Sequence, residues 1–399
     1  MNKIRFSSFS ITFKLAIIWL AVLVVLCLLR PLISGSQPVY CKDAEGITHW
    51  QFSQQKARSP ADCQKAIMPP IPFDHQTIRL TSRLTPPMTK DKSATDQYHI
   101  LGTDALGRDV ASGMLFGLRQ ALLIGFGSMA MAIILGYILG VLSAWYGDKK
   151  LRMTRLGLWV RSILGIVTLT LFFYFLSISR QPGLSPNALL WSIGVISILI
   201  ILVFILVNIW EWKQPVSHFA TSFPVDSIIT RLIEIFQSVP ALLILIGLTA
   251  IFKSHSVWSL AFIIFLIRWP IVCRFVRARA MTLREKAFLQ HASQINMPIH
   301  RVLFREVFPH TLDILVPVFA FGVSTAILLE ATLTFLGLGL PLEQVSWGGL
   351  IRDGRQHPEA WWLIIFPGVA LSLTLLSMIV IGEEIQRRFS GEDKMPRVL

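Results

Sequence analysis

The stretch WWLIIFPGVALSLTLLSMIVI, from Trp361 to Ile381, contains no charged side chain. A helix needs about 20 mainly apolar residues to cross the hydrocarbon core of a bilayer. Only helices and closed barrels satisfy their own backbone groups in that environment. Because this run is long and continuous, it predicts a membrane-spanning helix.

The rest of the chain has the same character. Of its 399 residues, 53% are hydrophobic and only 15% are charged, and the mean hydropathy is +0.61. This composition is too apolar for a soluble fold with a polar surface. The fold class is therefore predicted as all-α, a polytopic helical membrane protein of about eight spans. The other seven runs are Phe13 to Ile33, Ala121 to Trp145, Leu156 to Leu176, Leu189 to Trp210, Ile229 to Phe252, Val257 to Cys273 and Ile314 to Leu336.

The formal net charge of +14 is compatible with nucleic-acid binding, but its distribution indicates membrane orientation instead. Seven Arg or Lys residues and two acidic residues lie between Arg274 and Glu306. Basic residues also dominate the segment from Gly147 to Arg161. Both segments are expected on the cytoplasmic side, which predicts cytoplasmic N- and C-termini for eight spans.

The first apolar run is flanked by basic residues and lacks a small-residue cleavage site, so we interpret it as an anchor. The following loop would then lie outside. It contains Cys41 and Cys63, which either form a disulfide in an oxidising compartment or remain two thiols.

Motifs of nucleotide hydrolysis, metalloproteases and serine hydrolases are missing from the sequence, and no Cys/His spacing fits a metal. We therefore expect neither enzyme activity nor a metal site nor a cofactor on this chain. Any energy source for transport is expected on another chain.

The segment EKAFLQHASQINMPIHRVLFREVFPH, from Glu285 to His310, is too polar to span. Its apolar residues recur at three- and four-residue intervals, which predicts short amphipathic helices broken near Asn296 to Pro298. Periodicity alone leaves two interpretations open: an interfacial helix on lipid headgroups, or a helix that docks a partner.

Six motifs in order resemble the C-type permease subunit of the dipeptide, oligopeptide and nickel ABC importer family. They are LGTDALGRDV (101–110), GYILGVLSAWYGD (136–148), RLIEIFQSVPALLI (231–244), LLEATLTFLGLGLP (328–341), SWGGLIRDG (346–354) and FPGVALSLTLLSMIVIGEEI (366–385). The resemblance implies the type I ABC importer permease fold, with a six-span core and an inserted hairpin. It also implies a structural role for the motif residues Gly102, Thr103, Asp104, Gly107, Arg108, Asp109, Glu330, Gly337, Trp347 and Gly348.

In that family an E-A-A-x-x-x-G segment before the last two spans docks into the ATPase subunit. The register here places Gln290, His291 and Ala292 at the E-A-A positions and Asn296 at the glycine. Gln290 keeps the length of Glu but loses its charge, so a neutral hydrogen bond replaces an ion pair. The resemblance assigns ATPase coupling to Glu285, Gln290, His291, Ala292, Asn296, Met297, Pro298 and Arg301.

The resemblance implies half of a translocation pathway for peptides or related solutes in a bacterial inner membrane. The implied partners are a homologous permease, two cytoplasmic ATPases carrying ATP and Mg, an extracytoplasmic solute-binding protein and membrane lipids, without nucleic acid. The predicted divisions are 1–33 (tail and first span), 34–118 (outer loop and in-plane segment), 119–385 (permease domain, with a hairpin at about 150–223 and a coupling segment at about 281–310) and 386–399 (cytoplasmic tail).

Two other functional classes make different demands on the sequence. An ion-gradient-driven secondary transporter would favour internal repeats and midplane ionisable residues, and the sequence shows no repeat and few charges in its spans. A membrane-embedded enzyme would need a convergent set of nucleophile, base or metal ligands, and the sequence shows none.

Overall fold

A computed structural model describes residues 10–42, 48–50, 65–91, 97–148, 152–154, 220–252, 256–295, 297–341 and 344–389. By internal contacts the chain forms two units, Met1–Val141 with Leu232–Leu399, and Leu142–Arg231. The described residues are mainly helical, as the sequence predicts.

Five described helices are long and apolar enough to cross a membrane. They are α1 (Ile11–Ile33), α2 (Val110–Tyr146), α5 (Val257–Arg284), α8 (Phe308–Phe335) and α10 (Trp362–Phe389). The shorter helices are α3 (Val225–Ser238), α4 (Ala241–Phe252), α6 (Ala287–Gln294), α7 (Ile299–Arg301) and α9 (Trp347–Gln356), and a π-helix spans Val302–Val307. These elements account for six of the eight predicted apolar runs.

The predicted span from Ile229 to Phe252 is not one straight helix. The chain bends by 89° between α3 and α4, at the break that contains Pro240. Proline removes a backbone donor and disfavours helical geometry in the residue before it, which explains the break. The described residues therefore provide five spans, or six if the bent pair counts as one.

Small residues allow two of the long helices to approach closely. A Cβ atom added to Gly136 would lie 2.8 Å from Cβ of Val272, and one added to Gly140 would lie 2.8 Å from the carbonyl oxygen of Cys273. The four-residue spacing places both glycines on one face of α2. This small-residue contact is typical of helix packing in membranes, where van der Waals contact replaces the hydrophobic driving force.

Unit Leu142–Arg231 contains a two-stranded antiparallel ladder. Strand β6 (Arg152–Thr154) pairs with β7 (Ala220–Ser222), and Thr154 lies opposite Ala220. The residues that flank 155–219 are therefore neighbours. The predicted spans Leu156–Leu176 and Leu189–Trp210 lie outside the described residues, and the hairpin stays a prediction.

Short strands follow α1. Strand β1 (Tyr40–Lys42) pairs with β2 (Thr48–Trp50) and β3 (Lys65–Ile67), and β4 (Thr89–Lys90) pairs with β5 (Tyr98–His99). Cys41 lies in β1, whereas Cys63 lies outside the described residues. The Cys41–Cys63 disulfide therefore stays a prediction.

Candidate functional site

The coupling segment, residues 285–310, begins where α5 ends. Glu285 is the C-cap residue of α5, and α6 follows after one intervening residue. Leu289 is buried, whereas Gln290 and His291 are exposed. Helix α6 therefore packs one side against the protein and presents a polar side outward, as its amphipathic pattern predicts.

The predicted break after α6 is confirmed. Helix α6 ends at Gln294, and helical structure resumes at Ile299, directly after Pro298. Proline is favourable before a helical start because its missing N–H would have no partner there. Ile295, which the sequence places on the apolar face, is 69% exposed because it lies beyond the end of α6.

From Ile299 the helical structure continues without a gap through α7, the π-helix and α8 to Phe335. Val302, Leu303 and Val307 are buried, and Arg301 and Arg305 are exposed. Single π-helical turns are rare and frequently occur at functional sites. One continuous helical stretch thus connects Arg301 and Arg305, the exposed basic residues after the break, to a membrane span.

The coupling segment is also attached to α2. The hydroxyl of Tyr137 donates a hydrogen bond of 2.5 Å to the carbonyl oxygen of Leu303 in the π-helix. The Tyr137 ring contacts Phe308 edge-on at 5.4 Å between ring centroids. Tyr137 therefore connects α2 to the π-helix and to the start of α8. Gly136 and Gly140 of the same helix lie close to α5, so α5 is part of this contact region.

The structure places the predicted coupling residues along one short stretch. Glu285, Gln290, His291, Pro298 and Arg301 are exposed and Met297 is half-buried. The amide of Gln290 donates to the backbone carbonyl of Glu285 at 3.2 Å. Ala292 lies in α6, but its side chain is not described, and Asn296 lies outside the described residues.

The motif at 101–110 forms a polar turn, although the sequence favours an in-plane helix and local salt bridges at this position. Asp104 accepts hydrogen bonds from the backbone N–H of Leu106 and Arg108, and pairs with Nε of Arg108 at 2.6 Å. These bonds confirm the expected local salt bridge. They also explain why no helix forms, because an Asp side chain that binds nearby backbone N–H groups favours a turn.

By residue type, Thr103 or Asp104 is also expected to cap a helix from Ala105 onward, but neither residue caps a helix. The first residue of α2 is Val110, and Asp109 precedes it and accepts a hydrogen bond from the N–H of Ser112 at 2.8 Å. Thr103 instead donates to the carbonyl of Ser82 at 2.6 Å, and its own carbonyl accepts from the indole of Trp362. Asp109 therefore has the capping role because these tertiary contacts hold Thr103 elsewhere.

A buried polar cluster surrounds this turn, and sequence reasoning missed half of it. His99 is fully buried, and its Nδ1 lies 2.9 Å from Asp109. Asp91 accepts from Ser82 at 2.6 Å and pairs with Arg79. No local motif marks Asp91, Ser82 or Arg79, because loops of different length bring them together.

Two motif glycines are required by this packing. Gly107 has a φ of +74°, and an added Cβ atom would lie 1.9 Å from the carbonyl oxygen of Arg79. Gly102 has a φ of +80°, and an added Cβ atom would lie 2.7 Å from the carbonyl oxygen of Thr85. Only a residue without a side chain fits both positions.

The later motif residues also make structural contacts. Glu330 is buried and accepts from the Thr334 hydroxyl at 3.1 Å, so it does not face lipid. The indole of Trp347 donates to the carbonyl of Met114 at 3.0 Å. An added Cβ atom at Gly348 would lie 2.3 Å from the carbonyl oxygen of Ala331, and Gly337 has a φ of +80°.

Comparison with known proteins fits this arrangement of spans and coupling segment. Residues 215–391 match the family of binding-protein-dependent transport system inner membrane components. These residues carry the domain of this family. The chain is the transmembrane subunit of an ABC importer, and such a subunit implies a partner permease and an ATPase.

Relatives extend the match beyond the family domain. This permease is 27% identical over 303 residues to a putative peptide permease protein of Brucella suis biovar 1, covering 74% of each chain. A second relative, from Brucella ovis, is 36% identical over 170 residues, which cover 41% of this chain and 55% of the relative. The dipeptide transport system permease protein DppC of Alkalihalophilus pseudofirmus is 25% identical over 289 residues, covering 72% of this chain and 70% of the relative. None of these matches favours an ion-gradient-driven transporter.

Proposed function

We propose that this permease imports peptides or chemically related solutes, together with a homologous permease, two ATPase subunits and an extracytoplasmic binding protein. The printed names of the relatives, peptide permease and dipeptide permease, support this solute class. The chain carries neither ATP nor Mg in this proposal, since both belong to the ATPase partner. The basic loops support cytoplasmic termini in an inner membrane.

The coupling segment is the surface that contacts the ATPase in this proposal. One observation carries it: exposed polar residues lie on α6 and α7, and from Ile299 onward the chain is helical without a gap into α8. A lipid-headgroup helix would not require such a continuous connection to a span. A force applied to the exposed side of the segment would therefore move α8, and through Tyr137 it would also move α2.

The chemistry of the exposed side defines the groove that it fits. Gln290 and His291 offer hydrogen-bonding groups, whereas Arg301 and Arg305 provide positive charge. The ATPase groove is expected to be acidic opposite the two arginines. Because Gln290 carries no charge, its contact with the groove is a neutral hydrogen bond of lower strength than an ion pair.

Cysteine crosslinking in membranes tests the contact. We expect His291→Cys and Met297→Cys to crosslink to the ATPase subunit, while Gln356→Cys, exposed at the end of α9, does not. Gln356 is a suitable control because α8 separates it from the coupling segment. Arg301→Glu is expected to lower solute-stimulated ATP hydrolysis at least tenfold without reducing the amount of inserted permease.

The lipid alternative gives the opposite result. Labelling of His291→Cys and Met297→Cys by lipid-phase reagents alone, with no ATPase adduct, would reject the coupling surface. Uptake of peptides by proteoliposomes that contain the whole importer tests the solute class independently of these crosslinks.

A further inference from the structure

A cavity of about 660 Å³ lies between α5, α8 and α10. Its volume is within the range that protein pockets use for small ligands, about 300–1,000 Å³. Arg279, Asp313 and Gln386 line it near the helix ends next to the coupling segment, and Arg268 and Phe321 line it farther along their helices. Its walls are mainly apolar, from Ile271, Phe275, Ile314, Pro317, Val318 and Phe389.

Arg268 is the charged residue of this cavity that lies farthest from the coupling segment. Between Val257 and Cys273, the apolar part of α5, every other residue is uncharged. At 1.5 Å per residue, Arg268 lies about 16 Å from the start of α5 and about 9 Å from Arg274, the next basic residue. Arginine at this depth is costly in a membrane and by default marks a functional site.

The charge of Arg268 is not compensated within the described part of the chain. Its Nε atom is buried and has no hydrogen-bond partner among the described residues, and none of their carboxylates forms an ion pair with it. The other cationic residue of the cavity, Arg279, pairs with Asp313 at 2.5 Å. Among the described residues, the cavity therefore has an ion pair near the coupling segment and one uncompensated cation farther along α5.

We propose that Arg268 binds the carboxylate of the transported solute while the solute occupies this cavity. This inference rests on the proposed import of peptides and adds the residue that recognises them. A guanidinium can bind a carboxylate through two parallel hydrogen bonds, and both are strong because the two groups are charged. The apolar walls would contact side chains of different shape without selecting among them.

The position of the charge favours a solute over a lipid headgroup. A headgroup phosphate lies at the membrane surface, where Arg279 is already neutralised by Asp313. The uncompensated Arg268 lies deeper, at a level that a small solute can reach from within the cavity. The proposed occupant is therefore a solute with a terminal carboxylate, and an anionic lipid is the alternative that the experiment distinguishes.

The test uses the complete importer in nanodiscs and the cavity-wall variant Val318→Cys, with maleimide labelling resolved at that residue by mass spectrometry. Trialanine and its C-terminal amide are the peptide probes, and hexanoate and hexylamine are simpler probes that do not depend on peptide recognition. We expect trialanine and hexanoate to slow labelling at least fivefold, and the amide and the amine to change it less than twofold. Val369→Cys, which is exposed on α10 and does not line the cavity, is the labelling control.

Variants of Arg268 identify the residue responsible. Arg268→Gln is expected to abolish protection by both carboxylates, whereas Arg268→Lys keeps part of it because it keeps the charge. Arg274→Gln is the matched control, since Arg274 is exposed on the same helix, donates to Gln237 and does not line the cavity. Equal protection in the Arg268→Gln variant, or equal protection by trialanine and its amide, would overturn the inference.

Two further outcomes separate the alternatives. The labelling rate of Val318→Cys could decrease as the phosphatidylglycerol content of the nanodisc rises and not respond to added carboxylate. That result would overturn the inference in favour of a lipid site. Uptake measured in proteoliposomes reports on the proposed function by itself. If peptides are taken up but carboxylates do not slow the labelling of Val318→Cys, only the Arg268 site is rejected. If hexanoate slows the labelling but neither peptide is taken up, only peptide import is rejected.

Discussion

The hydrogen bond between Tyr137 and Leu303 provides a direct test of how the coupling segment is connected to the membrane helices. Tyr137→Phe removes the hydroxyl and keeps the ring that contacts Phe308. The carbonyl of Leu303 also accepts a hydrogen bond from the backbone N–H of Phe308, so it does not become an orphan. The change therefore removes the bond to Leu303 without leaving that buried carbonyl unsatisfied.

The magnitude follows from this geometry. Hydrogen bonds between membrane helices contribute about 0.6 kcal/mol on average and up to about 1.7 kcal/mol. The 2.5 Å bond is short, and Tyr137 is 4% exposed, so we expect about 1 kcal/mol. This corresponds to about a fivefold change in the equilibrium between attached and detached positions of the π-helix.

Proteoliposomes that contain the complete importer provide the assay. We expect the number of ATP molecules hydrolysed per solute imported to rise about two- to fivefold in Tyr137→Phe. Tyr146→Phe, a half-buried tyrosine at the end of the same helix, is the control and should leave the ratio unchanged. A lower melting temperature for Tyr137→Phe with an unchanged ratio would show that the bond only stabilises the fold, and would refute the coupling argument.

Three further predictions concern the fold. Gly107→Ala should sharply reduce the amount of folded permease in detergent, because the φ of Gly107 is positive and the added Cβ would overlap the Arg79 carbonyl. The control Gly247→Ala should be tolerated, because there is open space around Gly247, and equal yields of the two variants would contradict the prediction. Burial lowers the pKa of His75, and the neighbouring Asp74 offsets this only partly, so the unfolded state binds more protons than the folded state. The stability of the fold should therefore decrease as the pH drops below about 6.5. If the melting temperature decreases equally with pH in His75→Phe, protonation of His75 is not the cause. Replacing residues 155–219 with an Asn-Gly turn should preserve assembly with the ATPase, because β6 and β7 already pair. Loss of assembly despite normal membrane insertion would reject a peripheral hairpin.

The sequence was sufficient for properties that depend on local composition. Each of α1, α2, α5, α8 and α10 matches an apolar run, because the requirement to cross a bilayer acts on about 20 consecutive residues. The break before Pro298 was also predictable, because proline acts on its immediate neighbours. Pro240 was visible too, but the 89° angle depends on packing that no local signal encodes.

Tertiary contacts decided the features that sequence reasoning missed. The motif at 101–110 contains two aspartates, and either can cap a helix by residue type. Contacts with Ser82 and Trp362 fix Thr103, so Asp109 becomes the cap. Arg268 was visible as a charge within an apolar run, but its cavity requires side chains from three helices.

The ladder between β6 and β7 has a consequence for how such permeases can diversify. Thr154 and Ala220 lie opposite each other on paired strands. Any segment whose two ends are as close together as neighbouring strands can therefore replace residues 155–219. Segments can thus be gained, lost or exchanged between related genes at this point with little change to the remaining chain. The same position is a natural insertion site for a fluorescent reporter domain that would follow the transport cycle in living cells.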